Sequence, residues 1–210
     1  KMDAYLPPGK APRPAVIIVH GGGWEAGDKV TYVTPLFEPL AKAGFAWFSI
    51  DYRLTPRFRN QEQLEDLRRA IEFVRLNSDR FQIDPNRIAI LGESASGQMV
   101  AQLATEKPAG VAAVVSFYGV YDFLAMDSDY SPRSIPARLF RLTRASEYGR
   151  QLMVSFSPIY HVKEDMPPLL LIHGTNERLL AQGVAMAKKL EHARANYDFI
   201  KVENARHGIE

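Results

Sequence analysis

Apolar runs and helix-spaced apolar stripes take turns along the chain. Residues 15–20 form a nearly unbroken apolar run, a helical stretch covers about residues 31–43, and a second apolar run spans residues 45–51. Gly44 lies between the last two, where a residue at ease with positive φ ends a helix. Across residues 61–77, Leu64, Leu67, Ile71 and Val74 recur at spacings of three and four, so they share one helix face opposite a charged one. After Asp84-Pro85, residues 87–91 read as a strand, 95–105 as a helix and 111–118 as a strand. There the alternation stops. Residues 121–166 are rich in Ser, Pro and Arg with one helical patch at 135–142, and are expected to form an insertion over the sheet edge. A strand at 168–173, a helix at 180–193 and a strand at 197–202 then restore the pattern. Near-continuous apolar strands separated by helices predict an α/β fold, with a mainly parallel sheet covered on both faces.

Composition narrows the function classes. A chain of 210 residues that is 46% hydrophobic can bury one sizeable core, so a single domain over residues 1–210 is expected. Its 26 basic and 24 acidic residues leave a formal charge of +2 with no basic cluster, which gives no case for nucleic acid. The absence of cysteine removes disulfides, thiolate metal sites and a cysteine nucleophile together. No apolar run reaches the roughly 18 residues needed to span a bilayer, and a soluble protein, cytoplasmic or secreted, is the expectation. The chain opens on Lys1 ahead of Met2 rather than on an initiator methionine. Upstream residues, where an export signal would lie, are therefore expected to be missing.

Candidate chemistry begins at "VHGGGWEAG", residues 19–27, where three glycines follow an apolar run. Gly21, Gly23 and Ala26 match the spacing of a dinucleotide loop, with Asp51 at the end of the next strand as the ribose acid. Trp24 puts a bulky ring inside that turn, and the helix starts too late for its N-terminus to meet a pyrophosphate. The second reading is a loop whose backbone N–H groups face a developing negative oxygen, and that reading requires a nucleophile.

"GESASG", residues 92–97, supplies one in a strand, tight turn, helix context with Ser94 at the apex. A serine-rich helix cap would explain Ser94 alone, but not its pairing with the glycine loop. A serine hydroxyl needs a base, and the base an orienting acid, in the chain order Ser, Asp or Glu, His. Of five histidines, His20 begins the glycine loop and is read as its brace, His161 sits in the insertion, His173 ends a strand and His192 lies on a charged helix face. His207 falls in a loop after the last strand and is the candidate base. Glu177, in the loop after the strand at 168–173, is the candidate acid and is better placed than Asp122 or Asp165. Each has a plainer reading, as a surface histidine near the terminus and a solvated loop carboxylate.

These residues resemble the α/β-hydrolase-fold serine esterases of the hormone-sensitive-lipase-like and bacterial acetyl and feruloyl (acetylxylan) esterase groups. The resemblance runs in order through "YLPPG", "HGGGW", "DYRL", "DPNRIAILGESASG", "SPIYHV", "LLLIHGTNE" and "RHG", nearly the whole chain. It implies the α/β-hydrolase fold with residues 121–166 as a small lid-like insertion after the sixth strand. It implies Ser94 as nucleophile, His207 as base and Glu177 as acid, where many relatives carry Asp. It also implies an oxyanion hole from the N–H groups of Gly22, Gly23 and Ala95. Ser96 departs from the usual glycine, and the chain ends three residues after His207, where relatives have a further helix, so residues past Glu210 are expected. The implied reaction is acyl transfer to water with no metal or cofactor, on a small-molecule or polysaccharide-linked ester. Trp24 and Tyr118 are candidates for contacting that substrate, although either suits an ordinary core. Arg133, Arg138, Arg141 and Arg144 form a basic patch that would meet a uronic acid or simply face solvent. An arylformamidase or other amidase of the same fold, and a non-catalytic hydrolase-fold binding protein, are the competing expectations.

Overall fold

The structure, a computed structural model, describes residues 1–108, 110–126 and 131–208. Its strands are β1 (Met2–Tyr5), β2 (Arg13–Val19), β3 (Ala46–Ile50), β4 (Ile83–Glu93), β5 (Val111–Phe117), β6 (Leu169–Gly174) and β7 (Tyr197–Val202). They form one seven-stranded sheet in the order β1-β3-β2-β4-β5-β6-β7, with β1 antiparallel to β3 and every other pairing parallel. The helices are α1 (Thr34–Lys42), α2 (Asn60–Leu76), α3 (Ser78–Phe81), α4 (Ala95–Glu106), α5 (Ile135–Phe140), α6 (Glu147–Ser155) and α7 (Leu180–His192). This is the α/β-hydrolase architecture. Among the described residues, no helix is long and apolar enough to cross a membrane.

Successive side chains on a strand point to opposite faces, and β2 shows the consequence. Ala15, Ile17 and Val19 join a large cluster with Leu64, Leu67, Ile71 and Val74 of α2 and with residues of α4 and α7. Val16 and Ile18 join a smaller cluster on the other face, against Leu36, Phe37 and Leu40 of α1. Full burial of such a side chain contributes about 1.5–3 kcal/mol, so the apolar runs specify both layers at once.

Three details differ from the sequence reading. First, β1 carries no apolar alternation; it is an exposed edge strand held by backbone pairing, Met2 opposite Ile50 and Tyr5 opposite Trp47. Second, α1 starts at Thr34, because the Asp28 carboxylate accepts from the Val30 and Thr31 amides in a tight turn and Pro35 opens the helix. Third, the insertion follows β5, the fifth strand in chain order rather than the sixth. Since β5 pairs directly with β6, the segment leaves and rejoins the sheet at neighbouring strands. It holds α5 and also α6, whose Ser146 side chain accepts from the Gly149 amide as an N-cap. Residues 127–130 of the insertion lie outside those described. Gln182 of α7 ties down its start, accepting from the Tyr121 and Asp122 amides at 2.8 and 2.7 Å and donating to the Asp122 carbonyl at 2.9 Å.

Candidate active site

Ser94 occupies a turn so sharp that its backbone is left-handed, with φ 55° and ψ −114°, between the end of β4 and the start of α4. Such a conformation costs a non-glycine residue about 1–3 kcal/mol and persists only where its surroundings enforce it. Those surroundings are visible. A Cβ on Gly92 would sit 2.4 Å from the Ser96 carbonyl oxygen, and one on Gly97 would sit 2.8 Å from that of Phe117, so strand and helix approach as only glycine permits. The Ser96 hydroxyl accepts from the Glu93 amide at 2.8 Å and donates to the Val19 carbonyl at 2.7 Å, lacing the turn to β2. The departure from the usual glycine at 96 is therefore a hydrogen-bonding feature of this turn.

Two loops at the same edge of the sheet complete the cluster. His207 follows β7 and Glu177 follows β6. The His207 Nε2 lies 2.9 Å from the Ser94 Oγ, and its Nδ1 lies 2.7 Å from the Glu177 Oε2. An ionised carboxylate only accepts, so Nδ1 carries the imidazole proton and Nε2 is left as the acceptor for the serine hydroxyl. The Glu177 side chain is fully buried. Burial opposes its charge, but hydrogen bonds from His173 and His207 outweigh that and hold the carboxyl below its ordinary value.

The glycine loop lies across the turn. Its three glycines do not have the same surroundings. A Cβ on Gly21 would sit 2.7 Å from the Glu93 carboxylate, and one on Gly22 would sit 2.2 Å from the Ala26 carbonyl oxygen; around Gly23 nothing lies within 4 Å. Gly21 and Gly22 thus make room for protein atoms, and Gly23, at φ 63°, faces open space. The amides of Gly22, Gly23 and Ala95 donate no hydrogen bond among the described residues, which leaves them free to face a ligand. His20 stacks on Tyr52 with ring centres 4.4 Å apart and donates from Nδ1 to the Gly21 carbonyl at 2.8 Å. Burial depresses its basicity despite that bond, which favours the neutral imidazole.

Two clefts, of about 550 and 520 Å³, meet at Gly23, Ser94 and His207. Trp24, Val120, Met126, Ile135 and Leu179 line the first; Gly22, Tyr32, Pro35 and Glu93 line the second. A separate groove, beside Lys1, Arg53 and Asp66, holds ion-paired groups and none of this cluster.

With this geometry established, comparison with known proteins finds that a family model, BD-FAE, matches residues 2–190. The chain belongs to the BD-FAE family. Among curated relatives, it is 31% identical to the probable carboxylic ester hydrolase LipM of Mycobacterium tuberculosis over 80% of this chain and 42% of that one. It is likewise 31% identical to the esterase LipC of the same organism, over 95% of this chain and 54% of that one. The chain spans about half the length of these curated relatives. A solved structure of a truncated carbohydrate esterase from gut microbiota superposes with a TM-score of 0.90 at 27% identity, covering 99% of this chain and 83% of that one.

Within this BD-FAE chain the expected residues are distributed unevenly around the cluster. Ser94, His207 and Glu177 come together, as do the loop residues Gly22 and Gly23. Trp24 lines the first cleft, its indole donating to the Gln98 Oε1 at 3.2 Å and its carbonyl accepting from Gln63 at 3.0 Å. Tyr118, expected to contact substrate, instead stands behind the site. It lines neither cleft; its hydroxyl donates to the Glu93 Oε2 at 2.8 Å and its ring packs 4.5 Å from that of His207. The arginine patch is partly engaged: Arg138 pairs with Glu25 at 3.2 Å, and Arg141 donates to the carbonyls of Pro56 and Arg57. Asp165 pairs with Lys107, Asp122 accepts from the Tyr160 hydroxyl, and Asp51 accepts from the Lys29 amide.

Two residues near the site were not anticipated from sequence. Glu93 is buried and accepts from the Gly21 amide at 2.9 Å as well as from Tyr118, so it anchors the glycine loop to the serine turn. His173 is buried and its Nδ1 lies 2.6 Å from the Glu177 Oε1. The available signal was position alone: Glu93 directly precedes the serine and His173 precedes Glu177 by four residues.

Proposed function

We propose that this chain carries the catalytic machinery of a serine carboxylic ester hydrolase. One observation supports the reading above all: a continuous hydrogen-bonded line from the Ser94 Oγ through both nitrogens of His207 to a buried carboxylate, at 2.9 and 2.7 Å. In the proposed cycle, His207 takes the hydroxyl proton as Ser94 adds to the ester carbonyl. The negative oxygen of the tetrahedral intermediate faces the amides of Gly22, Gly23 and Ala95. The C–O bond then breaks, the alcohol leaves with the proton from His207, and water repeats the sequence to release the acid. Each oxyanion donor contributes about 2.7–4 kcal/mol to such a transition state.

For substrate, we favour short-acyl or aromatic esters, including acetyl or feruloyl esters of plant polysaccharide. The two moderate clefts, joined at Ser94, offer space for a small acyl group on one side and a larger alcohol on the other, with the 121–166 segment forming part of the first wall. The likeness to a carbohydrate esterase supports the same class. The test is hydrolysis of p-nitrophenyl acetate and a feruloyl ester by the wild type and by Ser94→Ala. The expected loss is about 10⁶-fold in kcat, as for nucleophile removal generally, with the fold retained. Parent-rate turnover by Ser94→Ala would overturn the reading, and turnover of formylkynurenine alone would favour the amidase.

A further inference from the structure

Glu177 has two carboxylate oxygens in a site with no access to water, and the proposed triad uses one. Oε2 accepts from His207; Oε1 accepts from the Nδ1–H of His173 at 2.6 Å. Both the Glu177 and the His173 side chains are fully buried. A buried carboxylate oxygen without a donor would cost a desolvation penalty and leave the group free to rotate.

His173 is itself held on every side. It is the penultimate residue of β6, paired in register with Lys201 of β7. Its ring meets Tyr121 and Phe199 edge-on, with centres 5.8 and 5.9 Å apart. On the α7 side the ring rests against Gly183, where an added Cβ would sit 2.6 Å from its Cδ2. Beyond the ring, Nε2 lies 3.4 Å from the Tyr121 hydroxyl, which is 2.7 Å from the Ser116 Oγ; Ser116 donates to the Gly97 carbonyl at 2.9 Å. Gly97 is in the first turn of α4, three residues past Ser94. The polar contacts therefore run from the serine through His207, Glu177, His173, Tyr121 and Ser116 back to the serine's own helix.

We infer that His173 is a positioning residue for the reaction: by donating to the second oxygen of Glu177 it fixes the carboxylate plane, and through it the imidazole of His207. This rests on the triad reading above. A positioning role differs from simple packing in what can replace the ring. A packing role is served best by an apolar side chain, whereas a positioning role is served by another N–H donor at the same place.

The test compares His173→Leu, which fills the space, with His173→Asn, whose amide places an N–H near the former Nδ1. Rates on p-nitrophenyl acetate are taken per folded protein, measured by circular dichroism and gel filtration. His173→Leu should lower kcat about 10- to 100-fold, the effect of losing one charge-assisted hydrogen bond, with KM nearly unchanged; His173→Asn should restore most of it. Gly183→Ala provides a second route if His173→Leu fails to fold, since it keeps every hydrogen-bonding group and only crowds the ring. It should lower kcat with KM unchanged. In a Glu177→Ala background, His173→Leu should cost no further activity. Wild-type kcat in His173→Leu or in Gly183→Ala, an Asn variant no better than Leu, or additive losses with Glu177→Ala would overturn the inference. Failure of the triad reading would register separately, as a wild-type enzyme whose Ser94 is not labelled by a fluorophosphonate.

Discussion

Glu93 and Glu177 are both buried carboxylates beside the Ser94 turn, yet they are held by different donors. Glu93 accepts from a backbone amide of the glycine loop and a tyrosine hydroxyl. Glu177 accepts from two imidazoles, one of which touches the serine. A backbone amide and a tyrosine hydroxyl, neither of which transfers a proton in the proposed reaction, make the first carboxylate a fastener of loop shape. A mobile proton carrier as partner makes the second an electrostatic support for a charge that develops during the proposed reaction. The same side chain takes a different role according to what donates to it.

Replacing each carboxylate should separate the two roles. The largest effect is expected for Glu177→Gln. An amide N–H would then face one imidazole N–H, which disfavours the tautomer that leaves Nε2 free, and kcat should fall about 10³- to 10⁴-fold in steady-state assays. Glu93→Ala should cost less activity, about 10- to 100-fold in kcat, because the Gly21 amide loses its anchor while the triad contacts persist. It should also lower unfolding free energy by about 1–3 kcal/mol, read from denaturant titrations, since a buried N–H and a buried hydroxyl lose their acceptor. If Glu93→Ala instead proved as inactive as Glu177→Gln while stability held, the two carboxylates would not differ as described.

A smaller effect concerns pH. His20 has a folded pKa lowered from 6.5 by burial, so the unfolded chain binds its proton first as the pH falls. Its contribution to stability is complete above pH 6.5 and is lost as the pH drops from there through the lowered folded value. Glu177 acts in the same direction at more acidic pH: its folded value lies below the ordinary one, and the stability it lends above that ordinary value is lost on further acidification. Replacing His20 with Gln should flatten the first decline, of at most about 1.4 kcal/mol per pH unit, in denaturant midpoints measured from about pH 7.5 to about pH 5. An unchanged slope would show that His20 is not held neutral.

The layers of the fold were legible because buried parallel strands and long amphipathic helices write their periods directly into the sequence; the stripe at Leu64, Leu67, Ile71 and Val74 located α2 to within a residue at either end. β1 was not legible, since it pairs by backbone at an exposed edge where side-chain period carries no information. That Ser94, Glu177 and His207 would meet could be anticipated because each sits in a loop whose place in the chain order is constrained. What escaped was the layer behind them. Glu93 meets Tyr118 across 25 residues and the Gly21 amide across 72, and the contact of His173 with Glu177, although only four residues apart, is made by burial rather than by any motif. The glycines illustrate the same limit: sequence indicated a close backbone approach, but only the packed structure distinguishes Gly21 beside a carboxylate and Gly22 beside a carbonyl from Gly23 beside open space.

In the proposed reaction the Ser94 hydroxyl becomes covalently acylated with His207 as its base. Rapid mixing with p-nitrophenyl acetate, acid quench and mass spectrometry of the peptide containing Ser94 test it directly. A burst of about one p-nitrophenolate per chain, with an acetyl group on Ser94 that is absent in His207→Ala, is the predicted result. Steady turnover without an acyl group on Ser94, or an acyl group on another residue that disappears as product forms, would contradict it.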